Sequence, residues 1–566
     1  MDFRSTFRDT FAGQFVRICG GRHLLPYPEE RADFEVPAKF QRGAASEKAQ
    51  EQRRSAEPSS ETASENTAVG EGQGEKDDHI TVGWYGDNDP ANPLNWAQGK
   101  KSLSVASLCF LTFSVYMASS IVTPAIPLYA QQEGISVVKS TLQLSLFVWG
   151  YAIGPMFLAP LSEIPSIGRN IPYIVTLFIF VCLQIPLALC TSPGAIFTLR
   201  FLAGFFGSPA LATGGASIAD LYSPRKRAYF IGIWGLSAVA GPALGPLVGG
   251  FAVQALGIPW ATWPILFASG AALIWLIFLL PETSSANILA RRAARLRALT
   301  GNDKLKSESE IQQANMTGRE IVQMTMIRPF TLNLEPMILA LNLLIALVYC
   351  VLYSFLEAYP IVFEMTYGFN AGLTGCAFLG LAVGAIIGYI IFAVFCHFRL
   401  EKLFDKKGGE IDPEDRLEAG FPAPIILAIG ILMFGWTSTA SIHWIVPIIG
   451  GGIFSVGTFL AFQAALAFLS DAYEPVAASA LASNDLVRSL AGGAFPLFSR
   501  ALFSNLATNE PRAFPVAYGC TILGGAAALF GPLPWIIHRY GPALRRRSPN
   551  AAQPIDRSAS KKENQA

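Results

Sequence analysis

Between residues 103 and 537 the chain repeats one pattern twelve times: a run of about 20 or more mostly apolar residues, long enough to cross a bilayer as a helix. The runs cover 103 to 129, 141 to 162, 171 to 191, 196 to 219, 228 to 254, 262 to 281, 335 to 363, 372 to 398, 422 to 441, 444 to 470, 476 to 504 and 513 to 537, here spans 1 to 12. No other feature limits the fold as strongly. In hydrocarbon every backbone amide must be satisfied within its own segment, so such spans become helices. The charged share, 15%, sits well below the roughly 25% usual for soluble chains.

Loop charges give the direction. Arg169, Arg225 to Arg227, the basic stretch 282 to 334 and Arg399 to Arg416 fall in alternate loops, whereas the other loops offer only Lys139 and Arg512. By the positive-inside rule the first set is cytosolic, and an even number of spans returns the chain to its starting side. The expected fold is therefore an all-α membrane protein of twelve transmembrane helices in two six-helix bundles, with both termini cytosolic. The expected divisions are a cytosolic N-terminal region 1–100, a first bundle 101–281, a central cytosolic loop 282–334, a second bundle 335–538 and a cytosolic tail 539–566.

The opening MDFRSTFRDT has charges where a signal peptide has its apolar core, so the start is expected to stay cytosolic. Residues 41 to 80, rich in Ser, Glu, Gln and Gly and free of aromatics, predict disorder, and the tail beyond about 540 predicts mobility. In the central loop Arg291, Arg292, Arg295 and Arg297 admit two readings: a basic face on anionic lipid, or topology determinants alone. The sequon Asn315-Met316-Thr317 lies in this cytosolic loop and should stay unmodified.

Several chemistries lose ground. The eight cysteines are scattered, without a CxxC pair or zinc spacing, and behave as small hydrophobes. No HExxH, Walker A or GxGxxG pattern occurs, which argues against an ATP-driven pump, a dinucleotide enzyme or a metal site. Neither a cofactor nor a nucleic-acid partner is expected.

Within span 5, residues 235 to 250 read GLSAVAGPALGPLVGG. Gly241, Gly245 and Gly249 recur one turn apart and present a smooth face for a neighbouring backbone, while Pro242 and Pro246 each remove an amide donor. Tight packing follows from these residues alone. The stretch also resembles the "antiporter motif" of major facilitator exporters, met by Gly241, Gly245, Pro246, Gly249 and Gly250. Further text in matching order resembles the fungal twelve-span drug:proton antiporters of that superfamily: WYGDNDPANPLNW at 84 to 96, Pro124 to Pro127, GPMFLAPLSEIPSIGRN after span 2, Arg200 to Gly204, PETSSANILARRAARLR at 281 to 297, YSFLEAYPIVF at 353 to 363 and SNDLVRSLAGGAFPLF at 483 to 498. The segment SEIPSIGRNIPYI, FRDTFAGQ and YPEE resemble the subgroup that exports benomyl, fluconazole and similar compounds.

A charge at a span centre costs roughly 2.5–3.5 kcal/mol on insertion scales, so those present should face the bundle interior. Four lie well within spans: Arg200 in span 4, Glu357 in span 7, and Asp485 with Arg488 in span 11. The last two share a helix face and either neutralise one another or take part in coupling. Arginine stays protonated, so Arg200 acts only by setting the pKa of a tertiary partner, and the resemblance implies a role in proton coupling. Glu357, isolated in the second half, is the leading proton carrier, with a hydrogen-bonded structural carboxylate as the alternative. At the cytosolic rim Glu163, Arg169 and Asp220 admit two readings: a latch of the outward-open state that breaks when the halves rock, which the motif resemblance favours, or solvated loop charges. Tyr116, Trp149, Trp234, Tyr349, Tyr353, Phe459, Phe462, Phe495 and Phe498 are candidate cavity aromatics, of which about a third should touch ligand in a mostly apolar pocket.

The expected protein is a monomeric, multi-pass, proton-coupled exporter of small hydrophobic xenobiotics in the plasma membrane, with the vacuolar membrane as the alternative site. Its partners would be those compounds, protons and the bilayer. A secondary-metabolite or polyamine exporter and a nontransporting receptor or scaffold are the competing readings; one unpaired intramembrane acid argues against polyamines.

Overall fold

The computed structural model of the chain describes residues 3–37, 40, 79–314, 320, 323, 327–409, 411–506 and 514–553. The low-complexity stretch 41–78, the sequon and Arg512 lie outside the described residues.

Among the described residues ten helical segments are long and apolar enough to cross a membrane, and they fall on spans 1–3, 5–10 and 12. Spans 4 and 11 are helical too, but broken. Span 4 runs as Pro193–Gly207, Pro209–Ala212 and Gly214–Leu221, and span 11 as Ala477–Ala494 and Pro496–Asn505. Pro209 and Pro496 open the segments after the first break of span 4 and the break of span 11, where the ring removes an amide donor and crowds the preceding turn, and Gly214 opens the last segment of span 4. These broken spans are also the ones that carry Arg200 and Arg488.

The glycine run packs as its spacing predicts. A Cβ on Gly241 would lie 2.6 Å from Tyr116 Cβ, and one on Gly245 2.9 Å from Met117 O and Ile121 N; Gly249 meets Ile121 O. Span 5 thus lies backbone to backbone on span 1 of its own bundle. The opposite face of the same run meets the other bundle: Gly250 abuts Ala371 O, and Pro246 O lies 2.5 Å from where Gly375 would carry a Cβ. One motif therefore joins two contacts, one within the first bundle and one to span 8. Large apolar side chains such as Ile274, Val383, Ile390 and Ile425 remain exposed on the outer helix faces, where lipid covers them.

At one end of the bundles the N-terminal region and the central loop form one collar. The strands Ile80–Val82 and Leu305–Ser307 pair in parallel, and the backbone of Glu282 donates to Asp9 O at 3.0 Å. Arg292 pairs with Asp89 at 2.7 Å and with Glu29 at 3.2 Å, Arg295 with Glu29 at 3.1 Å, and Arg297 with Glu310 at 3.1 Å. Three of the four arginines in question therefore bind protein carboxylates, which corrects the reading of a basic face laid on lipid. Mobility is likewise not found for residues 540–553: Arg545 is buried against Glu414 at 2.8 Å, and Ala552 donates to Ala472 O at 2.8 Å.

Candidate substrate and coupling site

Where spans 1 and 2 face spans 7, 10 and 11, the helices present Tyr116, Tyr151, Tyr349, Tyr353 and Phe462, all buried. Tyr151 and Tyr353 share a hydrogen bond of 2.7 Å across the two bundles, and Tyr353 also reaches Ser119 Oγ at 3.4 Å. Tyr349 stacks on Phe462 with ring centres 6.1 Å apart. The Arg488 guanidinium lies 5.0 Å from the Tyr349 ring and 4.8 Å from Phe462, a cation–π cage. Within this cage Arg488 pairs with Asp485 three residues earlier, as their spacing predicts.

A file of polar side chains continues from the pair toward Asn333, at the start of span 7. Arg488 reaches Asn484 Oδ1 at 3.4 Å, Asn484 donates to Asn342 Oδ1 at 2.9 Å, and Asn342 donates to Asn333 Oδ1 at 2.8 Å and to Ser483 Oγ at 3.0 Å. Tyr151 and these asparagines escaped the sequence reading. The signal was present: Asn342 and Asn484 sit within apolar spans, where an amide needs a partner.

Glu357 occupies a different place. It lies in the outer part of span 7, about six turns beyond Pro336, rather than at the span's centre. It accepts a bond from Thr141 Oγ1 of span 2 at 3.4 Å, so it touches the opposite bundle near the external ends. Arg200 is elsewhere again, enclosed in the first bundle with Nη1 donating to Ala118 O at 3.1 Å.

The remaining aromatics divide. Trp149 donates to Leu490 O at 3.1 Å and joins spans 2 and 11. Trp234 donates to Thr112 Oγ1 at 2.8 Å inside the first bundle, and Phe459 packs on Tyr389 and Phe392 inside the second. Phe495 and Phe498 pack against one another with their rings tilted, and Phe498 is 45% exposed, outside the cage. Of the nine aromatics, four (Tyr116, Tyr349, Tyr353 and Phe462) come together.

Glu163, Arg169 and Asp220 all lie in the first bundle. Arg169 pairs with Asp220 at 2.7 Å, both in the first bundle; Glu163 is exposed; and Glu282 accepts the Arg169 and Asn170 amides at 3.0 and 3.1 Å, capping span 3. The contact between bundles comes from other charges. Arg225 meets Asp405 at 3.0 Å, while Lys226 and the Tyr229 hydroxyl both reach Glu401 at 2.8 Å. Opposite charges in the loops after spans 4 and 8 were the available signal.

The profile of the Major Facilitator Superfamily matches residues 108–496. The chain belongs to this superfamily. It is 38% identical to the "Cycloheximide resistance protein" of Candida maltosa, over 96% of this chain and 98% of that one. It is also 38% identical to "Fluconazole resistance protein 1" of Saccharomyces cerevisiae, over 86% of this chain and 88% of that one. A crystal structure of a peptide transporter superposes with a TM-score of 0.52 at 14% identity, covering 78% of this chain and 95% of the other. The fold is that of a multi-pass membrane transporter, and the chain is no enzyme.

Proposed function

We propose that the protein exports small hydrophobic compounds, among them azole- and benomyl-like drugs, across the plasma membrane in exchange for protons. The reading rests on the Asp485–Arg488 pair, buried beneath tyrosines contributed by both bundles. A flat apolar compound entering between the bundles would replace the ring contacts of Tyr116, Tyr349 and Phe462. Protonation of Asp485 would release Arg488 toward the rings, so the pair can report one event to the other. The asparagine file links Asp485 to the cytosolic side, and Glu357 stands at the external end, where a carboxylate can exchange protons. Rocking of the bundles requires the exposed rim bridges of Arg225 and Lys226 to break; such bridges are worth about 1 kcal/mol or less each, which suits a reversible gate.

Purified protein in proteoliposomes should move fluconazole against its gradient when a proton gradient is imposed. Transport that persists after an uncoupler collapses that gradient would sink antiport while leaving facilitated transport standing.

A further inference from the structure

At the external end of the first bundle, spans 1 to 4 and 6 enclose a cavity of about 170 Å³, lined among others by Val122, Tyr129, Gln143, Ala188, Arg200 and Thr262. Arg200 is 2% exposed and is part of the lining. Its Nη1 is held by Ala118 O, whereas its Nε has no partner among the described residues. No carboxylate forms an ion pair with it among the described residues. Glu133 lies near the mouth, where its Oε1 takes the Gln132 amide at 3.2 Å.

A guanidinium cannot shed its proton to escape this situation. A lone charge in such a place is expensive, so a counter-charge has to come from a protein carboxylate or from solution. The first is absent among the described residues. The space suits the second, since a water occupies about 30 Å³ and the cavity holds several such volumes. Gln143, 8% exposed, offers a further amide, and the remaining walls are mostly apolar, which strengthens an ionic contact.

We propose that this cavity is a binding site for a small monovalent anion, a halide or a short monocarboxylate, held by Arg200. Span 4 then carries a closed charge balance in the first bundle, separate from the Asp485–Arg488 pair in the second. The anion enters from the external side, between the start of span 6 and the ends of spans 1 and 3. The site does not depend on the antiport reading, because it binds whether or not transport is proton-driven.

The test is thermal unfolding of the full chain in detergent, followed by tryptophan fluorescence, with sodium gluconate replaced stepwise by sodium chloride or sodium acetate at constant ionic strength. The wild type should show a saturable rise in midpoint with at least one of the two salts. Response to chloride alone assigns a halide; response to acetate alone assigns a carboxylate. Arg200→Gln should weaken the apparent affinity about tenfold or more, the scale of a lost charge-assisted bond. Ala188→Leu, which fills the cavity and keeps the charge, should do the same, and it decides the matter if Arg200→Gln does not fold. No response of the wild type to either salt, or an undiminished response in the folded variants, overturns the site.

Discussion

Two arginines lie deep in this membrane protein, and they are held in opposite ways. Arg488 has a carboxylate one turn away, two aromatic faces over its guanidinium and an asparagine behind it. Arg200 has one backbone carbonyl and a cavity. Both are 5% exposed or less. Burial is thus equal, and the partners decide what each can do. Arg488 belongs to a neutral pair whose balance a proton can upset, whereas Arg200 carries a standing positive charge that draws an anion.

The sharpest way to break this comparison is to remove each charge in turn. Arg488→Met strands Asp485 and should cost about 3–5 kcal/mol, the usual penalty for half of a buried pair. Arg200→Met strands nothing, and in gluconate buffer its stability should stay within about 1 kcal/mol of wild type. Chemical denaturation in detergent measures both; equal losses would show that partners do not separate the two sites.

Asp485→Asn keeps the shape of the pair and removes its proton. Gradient-driven export should fall by a factor in the range of about 5–150, the span of ordinary coupling free energies, while drug binding persists. Glu357→Gln should have a smaller effect, a few-fold loss with an altered dependence on external pH, because this carboxylate stands at the mouth rather than in the cage. Proteoliposome flux against pH distinguishes them. If Glu357→Gln abolished the proton dependence and Asp485→Asn left it intact, the roles would be exchanged.

Smaller still is the rim. Glu401→Gln removes the negative charge facing Arg225 and Lys226, an interaction worth about 1 kcal/mol, so it should raise labelling of cysteines placed on the cytosolic faces of both bundles by a few-fold. Unchanged labelling would remove this cluster from the gate.

The collar should respond least to acid. Although burial acts upward on Asp89, the Arg292 guanidinium and the Tyr85 and Ala91 amides hold its carboxyl below the ordinary range. Its contribution to docking is therefore complete above the ordinary aspartate range and fades only as pH falls through the depressed value. Hydrogen exchange in the helix Ser285–Thr300 should stay slow at mildly acidic pH and quicken only well below it. Loss of protection near neutrality would exclude this pair as the clasp.

Much of this molecule was legible from the residues. The span positions followed from hydrophobic runs that have no other use in water, and the face of Gly241, Gly245 and Gly249 followed from helical periodicity. The Asp485–Arg488 pair was readable because both partners lie on one helix. Glu357 was read as buried, which is right, but its depth was misjudged, since it lies past the middle of the helical segment Pro336–Thr366, toward its outer end. That Arg169 pairs with Asp220 inside one bundle was not readable, because a motif gives no sign of which side of an interface it serves.

The sequence by itself determined that this chain enters a membrane, where its helices begin, and which of its charges are too costly to be idle. These are local quantities, set by transfer free energy and by the 3.6-residue turn. Which tyrosines close over Arg488, which arginines of the central loop clasp the N-terminal region, and whether Arg200 finds a carboxylate were decided only in three dimensions. Such contacts join residues tens to hundreds of positions apart, so they depend on how two bundles meet, and no periodicity along one chain encodes that distance.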